Sequence, residues 1–216
     1  MSNLDLGNNE FVNYEFHENS EKPTIVFSNS LGSDLNMWNP QVEFFKNDYQ
    51  LVLYDKRGHG KSSPIQGPYN FDILENDVIS IMDELNITTA HFVGLSMGGM
   101  TSLGLALKYP DRFNKMVCCA ARADMPPPAI ESWDQRMAVV EEKGTEGVVQ
   151  GSIERWFSDE FINDSSNSDI INKAGEMIKS TSVQGYIGSC NAIKGCLLYT
   201  SPSPRDSRKS RMPSSA

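Results

Sequence analysis

The sequence predicts an α/β fold with a mostly parallel sheet. Strand and helix patterns alternate through about the first 120 residues, which is typical of strands joined by helical crossovers. From Asp124 onward the strand patterns cease, and only helical spacings follow a break at Pro126–Pro128. These two observations predict a parallel sheet that carries a helical insertion.

Five short apolar runs predict the strands. They are rich in β-branched or aromatic residues, and polar or glycine-containing turns separate them. The turn NSLGSD follows the second run and the loop DKRGHGKSSP follows the third. In chain order the runs are FVNYEF at 11–16, TIVFS at 24–28, QLVLY at 50–54, HFVG at 91–94 and KMVCCA at 115–120.

Apolar side chains at helical spacing predict three helices between these strands, at 35–46, 71–85 and 97–108. The third helix ends before Pro110, because the residue that precedes a proline disfavours the helical conformation. We assign residues 1–122 to a sheet-containing core and residues 123–195 to a helical cap over it.

Composition limits the partners of this chain. The formal net charge is -9 and the pI is about 4.8, so no basic surface for nucleic acid or an anionic membrane is expected. No run approaches the ~20 apolar residues of a membrane span, and the N-terminus lacks a basic segment followed by an apolar one. We expect a cytoplasmic protein that acts on a small molecule, with reduced and buried cysteines.

The most informative stretch is VGLSMGG at 93–99, which fits G-x-S-x-G with Ser96 at its centre. It follows a predicted strand and opens a predicted helix, as a nucleophile elbow does. Such an elbow strains the backbone of its serine, and Gly94 and Gly98 must be small because neighbouring chain passes close by. A glycine turn that only packs a helix on a strand is the alternative. We expect Ser96 to be a nucleophile.

A serine that attacks a carbonyl needs hydrogen-bond donors for the negative oxygen that develops. The backbone N–H of Met97 is one expected donor, because it lies at the positive N-terminus of the third helix. The second donor should come from the loop NSLGSD after a neighbouring parallel strand. The backbone N–H of Leu31 is our candidate.

Two further patterns indicate neither a cofactor nor a metal. GHGKSS at 58–63 ends like a phosphate-binding loop, but the first glycine of that pattern would fall at Asp55. VGLSMGG lacks the G-x-G opening of a dinucleotide site, and no His, Cys or Asp cluster has metal-ligand spacing. We expect no cofactor and no metal ion.

Several motifs extend across the chain as far as Gly195. Two are general: D-x-R-G-x-G-x-S, here DKRGHGKS at 55–62, and the GLSMGG elbow. The narrower ones are SNSLGSDLNMW at 28–38, AAR at 120–122, SWDQR at 132–136, ERWF at 154–157 and GYIGSCNAI at 185–193. The chain resembles the α/β-hydrolase superfamily and, within it, the 3-oxoadipate enol-lactonases.

The resemblance implies that an enol-lactone acylates Ser96 and that water then releases 3-oxoadipate, in the breakdown of aromatic acids. Substrates of this family carry a carboxylate, which a guanidinium binds through two parallel hydrogen bonds. Arg122 is the first candidate for that contact and Arg155 the second, and Trp133 completes the expected substrate-binding residues. Another esterase, C–C hydrolase or haloperoxidase of this fold, or a receptor that binds without turnover, remains an alternative.

The catalytic base is missing from the expected place. In this fold an acid and then a histidine follow the serine, whereas His17, His59 and His91 all precede Ser96. His17 is expected in an early turn and His91 at the wrong end of the sheet. His59 lies in a loop at the correct edge, but it matches a variable position of the family. The acid of the family lies on a strand after the helical region, and no such strand is predicted.

Residues 196–216, CLLYTSPSPRDSRKSRMPSSA, differ from everything before them and resemble the translation of a sequencing adapter. We expect this segment to be an artefact without fixed structure that stands in place of the last strands, the acid and the histidine. The chain would then be inactive as written. The strand KMVCCA would also be an uncovered edge that favours aggregation.

Overall fold

The computed structural model describes residues 2–196 and has a six-stranded sheet at its centre. The strand order is β1-β2-β4-β3-β5-β6, in which β3 to β6 are parallel, whereas β1 and β2 pair in the antiparallel sense. The predicted α/β fold with a mostly parallel sheet is confirmed. The strands are β1 Ser2–Gly7, β2 Glu10–His17, β3 Thr24–Ser28, β4 Gln50–Tyr54, β5 Ala90–Leu95 and β6 Phe113–Cys119.

Eight α-helices accompany the described part of this sheet. Three of them alternate with the strands, and the other five follow one another in the segment assigned to the cap. The helices are α1 Asn39–Phe45, α2 Phe71–Glu84, α3 Met97–Lys108, α4 Pro127–Lys143, α5 Val149–Trp156, α6 Asp159–Asn163, α7 Ser168–Ser180 and α8 Val183–Lys194. No helix among these residues is long and apolar enough to cross a membrane.

The N-terminal region differs from the prediction in two respects. Strand β1 was not predicted; it forms a hairpin with β2 across Asn8 and Asn9, both of which have positive φ. Asparagines tolerate this conformation, so the pair was a turn signal in the sequence. His17 is the last residue of β2 and pairs with Leu51 of β4, so its placement in a turn was wrong.

Buried apolar side chains explain the order of the layers. All five residues of β3 are buried, as expected for a central strand that is covered on both faces. A buried apolar cluster lies between the cap and the segments that follow the central strands, and it combines Leu31 and Met97 of the core with Ile178 and Tyr186 of the cap. The cap therefore covers the end of the sheet at which ligands of open α/β sheets bind.

Strand β6 is an edge of the described sheet, and apolar side chains on it and on α3 are uncovered. Val117 is 51% exposed and Leu107 of α3 is 62% exposed. Cys118 is also exposed, so the prediction that the cysteines are buried was wrong at this position. No described element covers this part of β6, which accounts for the difference. The segment predicted to be an artefact, 196–216, lies outside the described residues except for the buried Cys196.

Candidate active site

Ser96 occupies the tight turn between β5 and α3 and has φ 53° and ψ -112°. This conformation is strained for a residue with a side chain, and it costs about 1–3 kcal/mol in typical proteins. The N–H of Ser96 donates to the Cys119 carbonyl at 2.8 Å, and its own carbonyl accepts the first hydrogen bond of α3, from Met100, at 2.9 Å. The turn thus presents the partly exposed Ser96 side chain at the end of the parallel strands.

Two glycines make this turn possible. A Cβ added to Gly94 would lie 2.2 Å from the carbonyl oxygen of Gly98, and one added to Gly98 would lie 2.0 Å from the carbonyl oxygen of Ser28. Both distances are far below van der Waals contact, so strands β3 and β5 can approach α3 this closely only because both residues lack side chains. The sequence pattern predicted this requirement.

The loop of residues 29–34, here called the β3 loop, is held together by its own hydrogen bonds. The Asn29 side-chain amide donates to the Ser33 carbonyl, and the Ser33 hydroxyl donates to the Ser30 carbonyl at 3.0 Å. Leu31 within this loop is 6% exposed and shares a buried cluster with Met97. The two expected backbone donors therefore belong to segments that pack beside the Ser96 turn.

Asp55 has a structural role in fixing the end of the β3 loop. Its carboxylate accepts hydrogen bonds from the Leu35 N–H at 2.8 Å, the Lys61 N–H at 3.0 Å and the Asn13 side-chain amide at 2.8 Å. Burial raises the pKa of Asp55, and these three donors oppose that rise. The DKRGHGKS motif is thus a scaffold that joins β2, β4 and the β3 loop.

The three histidines do not supply a base for Ser96 within residues 2–196. His59 is fully buried with Nδ1 3.0 Å from the Arg57 carbonyl oxygen, and burial lowers its pKa to about 4. His91 pairs with Ile25 at the far end of β5, and His17 lies 3.7 Å from Glu15. Among the described residues, none donates to or accepts from the Ser96 hydroxyl.

The three predicted substrate-binding residues differ in their neighbours. The Arg122 side chain is 48% exposed, and its nearest carboxylate is that of Asp124 at 3.6 Å. Trp133 lies on α4, where the guanidinium of Arg136 stacks 4.5 Å from the centre of its ring. Arg155 on α5 donates to the Ser152 hydroxyl at 2.9 Å.

Arg136 was not predicted, and it lies with Arg155 around the buried Tyr186. Burial raises the pKa of Tyr186, and both guanidinium groups oppose that rise because they lie close to its hydroxyl. Burial and the proximity of Arg136 lower the pKa of Arg155. Within the described part of the chain, neither guanidinium has a carboxylate partner at ion-pair distance. Glu154 acts on Arg155 only from beyond that distance. Two neighbouring guanidinium groups that are not paired at contact distance favour the binding of an anion at this point.

This cluster adjoins the β3 loop, since a Cβ on Gly32 would lie 3.5 Å from the Tyr186 ring. Arg136 stands one turn after Trp133 in the SWDQR motif, which is the signal that could have identified it. No group of three or more His, Cys, Asp or Glu side chains in residues 2–196 is placed to hold a metal ion.

Comparisons with known proteins agree with this arrangement. A family model described as alpha/beta hydrolase fold matches residues 23–208. 3-Oxoadipate enol-lactonase 2 of Acinetobacter baylyi is 38% identical over 182 residues, which are 84% of this chain and 67% of that protein. 3-Oxoadipate enol-lactonase 1 of the same organism is 40% identical over 171 residues, 79% of this chain and 62% of that protein.

A solved structure of an enol-lactonase is also similar to this chain. The enol-lactonase from Burkholderia xenovorans LB400 superposes with a TM-score of 0.83 at 33% identity, over 88% of this chain and 73% of that one. The chain thus spans about two thirds of the curated relatives that it matches.

Proposed function

The chain belongs to the alpha/beta hydrolase fold family, and we propose that the full-length protein opens 3-oxoadipate enol-lactone with water to give 3-oxoadipate. The observation that carries the proposal is the strained Ser96 turn below a cap that holds two guanidinium groups without carboxylate partners. The named enol-lactonases among its relatives support the choice of substrate. The resemblance recognised in the sequence motifs is confirmed.

The reaction proceeds in two steps through an acyl-enzyme. The Ser96 hydroxyl attacks the lactone carbonyl, and the backbone N–H groups of Leu31 and Met97 donate to the oxygen that becomes negative. The catalytic base takes the proton of the Ser96 hydroxyl. The ring C–O bond then breaks, and the released enol oxygen takes that proton from the base, after which the enol becomes a ketone. Water then attacks the ester carbonyl, which frees the second carboxylate and restores Ser96.

No histidine follows Ser96 in this sequence. Acidic residues do follow it, but no strand follows the helical region within residues 2–196 to carry the acid in its usual place. We propose that the base and its acid both lie in a part of the full-length protein that residues 1–195 do not include, and that residues 196–216 are not native to it. The chain as written then lacks triad catalysis and is a nearly inactive form of the enzyme. Its binding and oxyanion groups alone supply the residual ~10³- to 10⁴-fold acceleration over water that remains when a triad is lost.

The substrate assignment is tested with the full-length gene product. We expect kcat/KM for 3-oxoadipate enol-lactone to exceed that for 4-nitrophenyl acetate by about 100-fold or more, because only the lactone uses the carboxylate contacts. Steady-state kinetics on both substrates measures this ratio. A ratio near one would assign the enzyme to the general carboxylesterases, and tight lactone binding without turnover would assign it to the receptors.

Arg136 is the residue that we expect to bind the substrate carboxylate, with Arg155 beside it and Trp133 as its stacking partner. Arg122 is the weaker candidate because Asp124 already lies near its guanidinium. In the full-length enzyme, Arg136→Met should raise KM for the lactone about 10- to 100-fold, the value of a charged hydrogen-bonded pair. Kinetics on the neutral ester is the internal control and should change little.

The outcome for Arg122→Met decides between the two arginines. If that variant loses the lactone selectively and Arg136→Met does not, the carboxylate lies at Arg122. An equal loss on both substrates in Arg136→Met would show that this residue supports the cap rather than the substrate.

A further inference from the structure

Lys56 carries a buried ammonium group directly after β4. Its side chain is 1% exposed, and its Nζ donates to the Ser28 hydroxyl at 2.8 Å and to the Asn29 carbonyl at 2.5 Å. The Asn29 side-chain oxygen, at 3.4 Å, is the third acceptor. All three acceptors are neutral, and the neighbouring carboxylate of Asp55 is occupied by other donors. The amino group thus has enough acceptors, but within residues 2–196 no carboxylate lies at ion-pair distance from it.

This arrangement is costly for the stability of the fold. Burial lowers the pKa of Lys56 to about 7, and the nearby Asp55 opposes that change only in part. The other groups that face the ammonium are the Tyr54 ring, whose centre is 5.2 Å away, and His59. An apolar side chain of the same length would avoid this cost. The presence of a buried lysine here is therefore better explained by a contribution of its amino group to the active site.

The acceptors of Lys56 are the residues that connect the β3 loop to the Ser96 turn. Ser28 ends β3, and its carbonyl is the group that packs against Gly98 in the first turn of α3. The Ser28 hydroxyl also lies 2.7 Å from the Tyr54 hydroxyl. Asn29 begins the β3 loop. The ammonium therefore fixes the point where this loop leaves the sheet, beside the turn that holds Ser96.

Asp55, the residue before Lys56, fixes the other end of the β3 loop. The Asp55 carboxylate accepts the Leu35 N–H, while Lys56 donates to the Asn29 carbonyl. Between these two anchors the Asn29 amide donates to the Ser33 carbonyl and the Ser33 hydroxyl donates to the Ser30 carbonyl, so the two ends of the loop are tied together. Both anchors therefore restrain the backbone of the loop that contains the Leu31 N–H.

We propose that Lys56 is a positioning residue, which holds the Asn29 carbonyl and the Ser28 hydroxyl so that the Leu31 N–H donates to the oxyanion formed by attack of Ser96. This inference rests on the proposed hydrolase function. It assigns no contact between Lys56 and the substrate. A donor displaced by a fraction of an ångström loses much of its effect on the transition state but little of its effect on substrate binding.

The test compares Lys56→Met with Lys46→Met in the full-length enzyme, using 4-nitrophenyl acetate as substrate. Lys46 directly follows α1, with its side chain 43% exposed and paired with Glu43, so the same substitution there should leave kinetics unchanged. For Lys56→Met we expect kcat to fall about 10- to 100-fold with KM within about twofold. Inhibition by phenylboronic acid should weaken by the same factor, because its tetrahedral adduct places an oxygen in the same position.

A folded Lys56→Met variant with wild-type kcat would overturn the inference. So would a loss of kcat that leaves inhibition by phenylboronic acid unchanged, since that result indicates a general structural effect. If Lys56→Met does not fold, Ser28→Ala removes one acceptor only and should still lower kcat at constant KM; unchanged kcat in this variant would also refute the proposal. A wild-type enzyme inactive on both ester and lactone would instead refute the proposed function.

Discussion

Ser96→Ala in the full-length enzyme is expected to lower kcat about 10⁴- to 10⁶-fold, the range found when the nucleophile of a serine triad is removed. The Ser96 hydroxyl is the group in the strained turn that can form the acyl-enzyme, whereas the proposed substrate contacts lie on other elements. KM for the lactone should therefore change little. Steady-state kinetics with the lactone measures both constants.

Ser102→Ala is the matched control, because it removes a hydroxyl from the same helix. The Ser102 hydroxyl donates to the Gly99 carbonyl at 2.7 Å within α3 and has no role in the proposed reaction. Activity near wild type is expected for this variant. Retention of more than about a hundredth of wild-type kcat in Ser96→Ala would contradict nucleophilic catalysis by this residue, since general acid–base effects alone are smaller.

Ser96→Gly removes the hydroxyl and also relieves the backbone strain, whereas Ser96→Ala removes the hydroxyl alone. Glycine adopts positive φ at little cost, so this variant should be as inactive as Ser96→Ala but more stable than wild type by about 1 kcal/mol or more. Urea denaturation measures the difference in the free energy of unfolding. A higher free energy of unfolding together with lost activity would show that the strained conformation of Ser96 serves the reaction and not the stability of the fold.

The local parts of the site could be predicted from the sequence because their physical causes are local. The helix predicted at 97–108 has the same bounds in the structure, and Ser96, Gly94 and Gly98 fall where the pattern of strand, turn and helix requires. Strand β1 was missed because its residues are mostly polar and it is paired on one side only. The turn at Asn8 and Asn9 indicated the β1–β2 hairpin more clearly than the residues of β1 did.

The cap contacts could not be predicted in the same way, because they depend on how distant segments pack. The side chains of Arg136 and Arg155 become neighbours only when α4, α5 and α8 are assembled around Tyr186. The role proposed for Lys56 is likewise invisible in the sequence. A lysine in a polar loop predicts an exposed side chain, whereas the tertiary structure buries it against β3.

Gly98→Ala is expected to lower the free energy of unfolding by about 3–5 kcal/mol, at the upper end of single-substitution effects. The added methyl group would lie 2.0 Å from the Ser28 carbonyl oxygen and 2.6 Å from its carbon, which belong to the backbone of a central strand. A flexible side chain could move aside, but β3 is hydrogen-bonded to β4 and β5 on its two edges. The clash must therefore displace α3 or the strand.

Gly175→Ala provides the matched control, because Gly175 is also a buried helical glycine. A Cβ there would lie 3.5 Å from the nearest atom, Cγ1 of Val149, which is ordinary contact. This variant should be unchanged or more stable by up to about 1 kcal/mol, the helix preference of alanine over glycine. Urea denaturation of both variants of the full-length protein measures the contrast. Equal stabilities would show that β3 and α3 can separate without cost, and the Ser96 turn would then lack the rigid support that its strained conformation requires.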